Sequence, residues 1–122
     1  MFSADRIVLV ADDDSAVRDA LKFSLELDGF TVHACRNGEA LLAHPSLATC
    51  DCIVLDYRMP GLNGLQVLWK LRAAGIKAPV IFIAGPVTRA LRDQAIQAGA
   101  RCVLEKPLLD GALTAKIREI TN

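Results

Sequence analysis

The chain has 122 residues, the size of one ordinary domain. Its 14 Lys and Arg balance 14 Asp and Glu, and 52% of its residues are hydrophobic, enough for a core without disulfide staples. Neutrality excludes a nucleic-acid binder, which needs a basic surplus, and an acidic disordered tail. No apolar run approaches the ~20 residues of a membrane-spanning helix. Residues Met1 to Arg6 show no basic stretch followed by an apolar one, so no secretory signal is expected, and a soluble cytoplasmic protein is.

Hydrophobic periodicity divides the chain into alternating elements. A β-rich run at Ile7–Ala11 ends in Asp12, Asp13 and Asp14. A helix follows from about Ser15, with Val17, Ala20, Leu21, Ser24 and Leu25 on one face and Gly29 as a stop signal. Asp14 suits its N-cap. A second strand is predicted at Phe30–Cys35, and a short helix opens after Asn37 with Ala40, Leu41 and Leu42. A third strand, Cys52–Leu55, ends at Asp56. The next helix runs from about Gly64 to Ala74 and buries Leu68 and Leu71, with Trp69 as partly exposed packing. A strand at Val80–Ala84, a helix at Thr88–Ala98 and a strand at Cys102–Leu104 come next. Leu109, Leu113, Ile117 and Ile120 then recur at helical spacing.

Five strands alternating with five helices imply βαβ units and a doubly wound α/β fold with a parallel sheet. No repeat or linker interrupts the pattern, and the expectation is a single domain over residues 1–122 with no output domain in this chain. Cys35, Cys50, Cys52 and Cys102 form no CxxC pair, and His33 and His44 have no metal spacing. The thiols are expected to act as small buried hydrophobes.

In an open parallel sheet, sites form beyond the C-terminal strand ends. Those ends carry Asp12, Asp13 and Asp14; Asp56; Ala84, Gly85 and Pro86; and Glu105, Lys106 and Pro107. Asp12, Asp13 and Asp56 together would repel one another and recruit a hard cation such as Mg²⁺. A carboxylate, a divalent cation and Lys106 suit phosphoryl transfer, with Asp56 as the nucleophile that becomes an acyl phosphate.

Three segments carry a family resemblance. They are Ile7 to Asp14, then Leu55-Asp56-Tyr57-Arg58-Met59-Pro60-Gly61-Leu62-Asn63-Gly64, then Glu105-Lys106-Pro107. The sequence resembles the receiver domains of two-component response regulators over essentially its whole length. The resemblance implies a flavodoxin-like fold of strand order 2-1-3-4-5. It implies Asp56 as phosphoacceptor and Lys106 as the lysine that contacts the phosphate. Asp13 and Asp56 become direct Mg²⁺ ligands, Asp12 acts mainly through water, and the Arg58 carbonyl is a third protein ligand. Ala84 and Gly85 stand where the family meets the phosphoryl group, and the Lys106–Pro107 bond resembles one that is commonly cis. The implied partner is a sensor histidine kinase or a histidine phosphotransfer protein. The fourth helix, fifth strand and fifth helix, with Arg89, Arg92, Val103 and Leu104, form the usual partner face. The domain would be a signalling phosphoacceptor rather than an enzyme, with no nucleic acid or membrane partner; a homodimer stays open.

Two positions depart from the family. Ala84 replaces a Thr or Ser whose hydroxyl bonds the phosphoryl group, and Val103 replaces the aromatic residue that switches with it. Thr88 is the nearest hydroxyl that could substitute. Arg58 can face solvent and tune the access of water to an acyl phosphate. The departures favour an alternative, a degenerate receiver that binds partners regardless of phosphate. An aspartate-nucleophile phosphatase fits Asp12-Asp13-Asp14-Ser15-Ala16 only loosely, and a flavin phosphate would be repelled by the acidic loop.

Overall fold

The computed structural model describes residues 6–108 and 111–121. Its strands are β1 (Ile7–Ala11), β2 (Thr31–Cys35), β3 (Cys52–Asp56), β4 (Val80–Ala84) and β5 (Cys102–Glu105). They alternate with α1 (Ser15–Leu27), α2 (Gly38–Leu42), α3 (Gly64–Ala73), α4 (Arg89–Gln97) and α5 (Ala112–Thr121). The five strands form one parallel sheet in the order β2-β1-β3-β4-β5, as the resemblance implies.

Side chains on a strand alternate between faces, so a sheet covered on both sides needs apolar residues at every position. β4 meets that demand at every position and β3 at all but its last, Asp56, and both are buried throughout. Leu9, Ala11, Ile53, Leu55 and Phe82 pack with Leu41 of α2, Leu68 and Leu71 of α3 and Ala95 of α4. Val8, Val10, Val54, Ile81 and Ile83 pack on the opposite face with Leu25 of α1 and with Leu113 and Ile117 of α5. Helices are capped where the sequence signals it. Asp14 accepts from the N–H groups of Ala16 and Val17, and Asn63 and Gln66 form a reciprocal capping box at α3.

The predicted face of α1 is unevenly buried. Val17 and Leu21 are half-buried and Leu25 is buried, whereas Ala20 and Ser24 are exposed. The helix touches the sheet along an i, i+4, i+8 stripe, and Ser24 and Ala20 lie about 20° and 60° beyond its Val17 edge, where they line one depression with Val17, Leu21 and Leu25. Phe30 lies just before β2, while Asp56 and Glu105 are the last residues of their strands. Leu109 lies outside the described residues. Trp69 is 55% exposed.

All four cysteines are free thiols, with Cys35 and Cys52 buried. Burial, with smaller help from Cys50 and Cys102, pushes the Cys52 thiol up to about 12, so it behaves as an inert core group. His33 and His44 pack ring against ring, 4.8 Å between centroids, and His44 Nδ1 accepts from the Ser46 N–H. No helix among the described residues is long and apolar enough to cross a membrane.

Candidate functional site

β1 and β3 are neighbours at the centre of the sheet, so their C-terminal ends deliver Asp12 and Asp56 side by side. Both are buried, and Asp13 is exposed at the rim of the same cleft. One carboxylate oxygen from each of Asp12, Asp13 and Asp56 lies within 4.8 Å of the others. β5 ends two strands away, and Lys106 reaches back from it. Its Nζ lies 3.4 Å from Asp12 Oδ2 and 3.4 Å from Asp56 Oδ2. The contacts are long for hydrogen bonds, so one ammonium is shared between two carboxylates.

Burial raises the Asp56 carboxyl, and the Asp12 charge raises it further. Lys106 and the Arg58 N–H only partly offset them, leaving the group at about 6. Burial works to lower the Lys106 ammonium, but Asp56 and Asp12 outweigh it and hold the group above its ordinary value. The cleft therefore carries more negative charge than its lysine neutralises.

Backbone contacts fix these groups. The Asp14 N–H donates to Asp12 Oδ1 at 3.0 Å, and the Arg18 guanidinium donates to the Asp12 carbonyl at 2.8 Å. The Arg58 N–H faces Asp56 Oδ1 at 3.4 Å. The loop over residues 57–63 explains the spacing of the Met-Pro-Gly motif. Gly61 has φ +77°, a conformation that favours glycine, and turns the chain back toward α3. At Gly64 a Cβ would lie 2.9 Å from the Asp56 carbonyl oxygen and 3.0 Å from the Tyr57 Cα. Only glycine lets α3 start that close to the phosphoacceptor candidate. Arg58 is exposed beside a depression of about 490 Å³ that Asp13, Tyr57 and Asn63 also line.

The other strand ends complete the rim. Ala84 is buried and Gly85 half-buried, and the Ala84 carbonyl accepts from the Lys106 N–H at 2.7 Å. Val103 is buried in the core under α4. Thr88 is exposed as the N-cap of α4, where its Oγ accepts from the Leu91 N–H. The Lys106–Pro107 bond is cis. Asp12, Asp13, Asp56 and Lys106 are thus brought together, Ala84 and Gly85 end the neighbouring strand, and Val103 lies in the core instead.

Two contacts were not legible beforehand. Arg18 holds the Asp12 carbonyl, and Glu105 Oε1 accepts from the Val87 N–H at 3.2 Å. The signal for Glu105 was its place just before Lys106 and two residues after buried Val103, which puts its side chain on the α4 side of the sheet.

Comparison with known proteins agrees with this geometry. The model of the response regulator receiver domain matches residues 8–118. The transcriptional regulatory protein FixJ of Bradyrhizobium diazoefficiens is 40% identical over 111 residues, covering 90% of this chain and 54% of that protein. The C4-dicarboxylate transport transcriptional regulatory protein DctR of Rhodobacter capsulatus is 39% identical over 105 residues, covering 84% and 53%. The chain thus spans about half the length of the curated relatives it matches. Among solved structures, FixJ-N superposes with a TM-score of 0.86 at 31% identity, over 98% of this chain and 95% of that one. The Francisella response regulator 1452 receiver domain gives a TM-score of 0.90 at 27% identity, over 96% and 97%. In its central parallel sheet, its acidic strand ends and its opposing lysine, as in its sequence, the chain belongs to the response regulator receiver domain family.

Proposed function

We propose that this chain is a cytoplasmic phosphoacceptor of two-component signalling, modified on Asp56 rather than acting on a separate substrate. The observation that carries this reading is the position of Asp56, buried at a strand end among Asp12, Asp13 and Lys106. The donor is a phosphohistidine on a sensor histidine kinase or a histidine phosphotransfer protein. An Asp56 carboxylate oxygen attacks phosphorus, the P–N bond breaks, and its electron pair returns to the imidazole nitrogen, which takes a proton from solvent. Lys106 follows the negative charge from the carboxylate onto the phosphoryl oxygens.

The donor set fits Mg²⁺. Three carboxylate oxygens within 4.8 Å of one another, one of them on an exposed residue, suit a hard cation that keeps several waters. Asp12, Asp13, Asp56 and the Arg58 carbonyl would hold it. The ion supplies charge neutralisation for the equatorial phosphoryl oxygens when bound. Asp12 and Asp13 orient and balance that charge, and the chain holds Asp12 in place through the Asp14 N–H and Arg18.

The readout departs from the family pattern. Ala84 has no donor for the phosphoryl group and Val103 has no ring to turn inward. A missing hydrogen bond to a charged partner removes about 1.5–3 kcal/mol from the phosphorylated state. These two side chains favour a second reading, an interaction module that binds its partner without phosphate. Fluorine NMR of beryllofluoride added with Mg²⁺ separates the two. The phosphoacceptor reading expects a bound fluoride signal that requires Mg²⁺ and disappears in Asp56→Asn; its absence in the unsubstituted protein supports the second reading.

A further inference from the structure

β4 and β5 are paired so that Ala84 and Glu105 are direct neighbours on adjacent strands. Both precede a change of direction. Ala84 leads into the loop over residues 85–88 that opens α4, and Glu105 leads into Lys106 and the cis bond to Pro107. Two contacts tie the α4 side to β5. The Arg92 guanidinium donates to the Val103 carbonyl at 3.2 Å and holds the body of α4. Glu105 Oε1 accepts from the Val87 N–H at 3.2 Å and holds the loop. The small side chains of Ala84 and Val103 leave no hydroxyl or ring to couple loop and strand, and the Glu105 carboxylate spans the same junction.

We propose that Glu105 is a positioning residue that straps the loop after β4 to the end of β5, and that phosphorylation of Asp56 releases this strap. The inference rests on the phosphoacceptor reading above. A switch needs contacts that differ between its two states. In the free protein Lys106, adjacent to Glu105 in the chain, is drawn toward Asp12 and Asp56, and Glu105 keeps Val87. A phosphoryl group on Asp56 adds negative charge to a rim that ends two strand spacings from Glu105, on the order of 10 Å. That distance is about one Debye length at 0.1 M salt, so the repulsion is partly screened and grows as salt is lowered. The Val87 bond is solvent-facing and therefore readily exchanged. Once it opens, the loop's N–H groups can turn toward the phosphoryl oxygens, and α4 moves with its N-terminus.

The test is amide NMR of the free and beryllofluoride-treated protein, with intact mass after an acyl-phosphate donor, for the unsubstituted chain, Glu105→Ala and Glu105→Gln. All three are expected to take up phosphoryl on Asp56. Free Glu105→Ala is expected to show Val87 and α4 amides already displaced toward their beryllofluoride positions, with roughly tenfold faster exchange of the Val87 N–H. Glu105→Gln keeps an acceptor without the charge. It is expected to hold the closed loop in the free state and to respond to beryllofluoride less than the unsubstituted chain. If Glu105→Ala takes up phosphoryl and its α4 amides match the unsubstituted chain in both states, the strap is overturned alone. If the unsubstituted chain takes up no phosphoryl, the phosphoacceptor reading falls and the release mechanism falls with it.

Discussion

Lys106 Nζ stands 3.4 Å from Asp56 Oδ2, in the cleft where the carboxylates of Asp12, Asp13 and Asp56 meet. Lys106 is also 3.4 Å from Asp12, so it balances two buried anions at once. Lys106→Ala leaves both uncompensated and removes the cation that would follow charge onto the phosphoryl group. We expect phosphorylation from a small acyl-phosphate donor to slow by about 10–100-fold, the equivalent of a lost charge-assisted hydrogen bond. The time course of phosphoryl addition by intact mass measures it.

The pH dependence follows from Asp56. Its carboxyl lies at about 6 in the folded protein against an ordinary 3.8. Between those values the folded state binds more protons than the unfolded one. Stability contributed by this group therefore rises as pH falls from above 6 toward 3.8, and is lost again on the way up. Asp56→Asn removes this dependence. In metal-free buffer the variant is expected to be more stable than the parent at pH 7, with the gap narrowing by pH 5. Urea unfolding at the two pH values reads both.

Restoring the hydroxyl tests the departure at β4. Ala84→Ser, or the bulkier Ala84→Thr, places a donor next to the Asp56 rim without touching Asp12, Asp56 or Lys106. The lifetime of the phosphorylated form is expected to lengthen by about 10–100-fold, the kinetic equivalent of 1.5–3 kcal/mol. Decay of the phosphorylated mass after removal of the donor reports it, and an unchanged lifetime would rule out the missing-hydroxyl account.

Gly64→Ala tests why α3 begins where it does. The new Cβ meets backbone atoms of Asp56 and Tyr57, which cannot rotate away as a side-chain tip could. A loss of about 1–3 kcal/mol in urea unfolding is expected, as for overpacking elsewhere. Gly85→Ala is the control, because a Cβ there meets nothing within 4 Å.

Much of this site is legible in the sequence, because a parallel sheet gathers its strand ends on one edge. The apolar runs located the strands, and Asp12, Asp13, Asp56 and Lys106 were simply what followed them. The α1 face was less legible. Ala20 and Ser24 fit a broad helical face, but the width of the contact depends on how the helix lies on the sheet. The role of Glu105 was hidden for a different reason. Its partner is a backbone N–H 18 positions away, and only the β4–β5 register brings Val87 within reach. Side-chain pattern carries no information about such a bond.

The most direct test of the central claim is intact mass spectrometry after incubation with Mg²⁺ and a small acyl-phosphate donor. The account predicts addition of one phosphoryl group, dependent on Mg²⁺, located at Asp56 and absent in Asp56→Asn. No added mass in the unsubstituted protein, or addition that persists in Asp56→Asn, would contradict it.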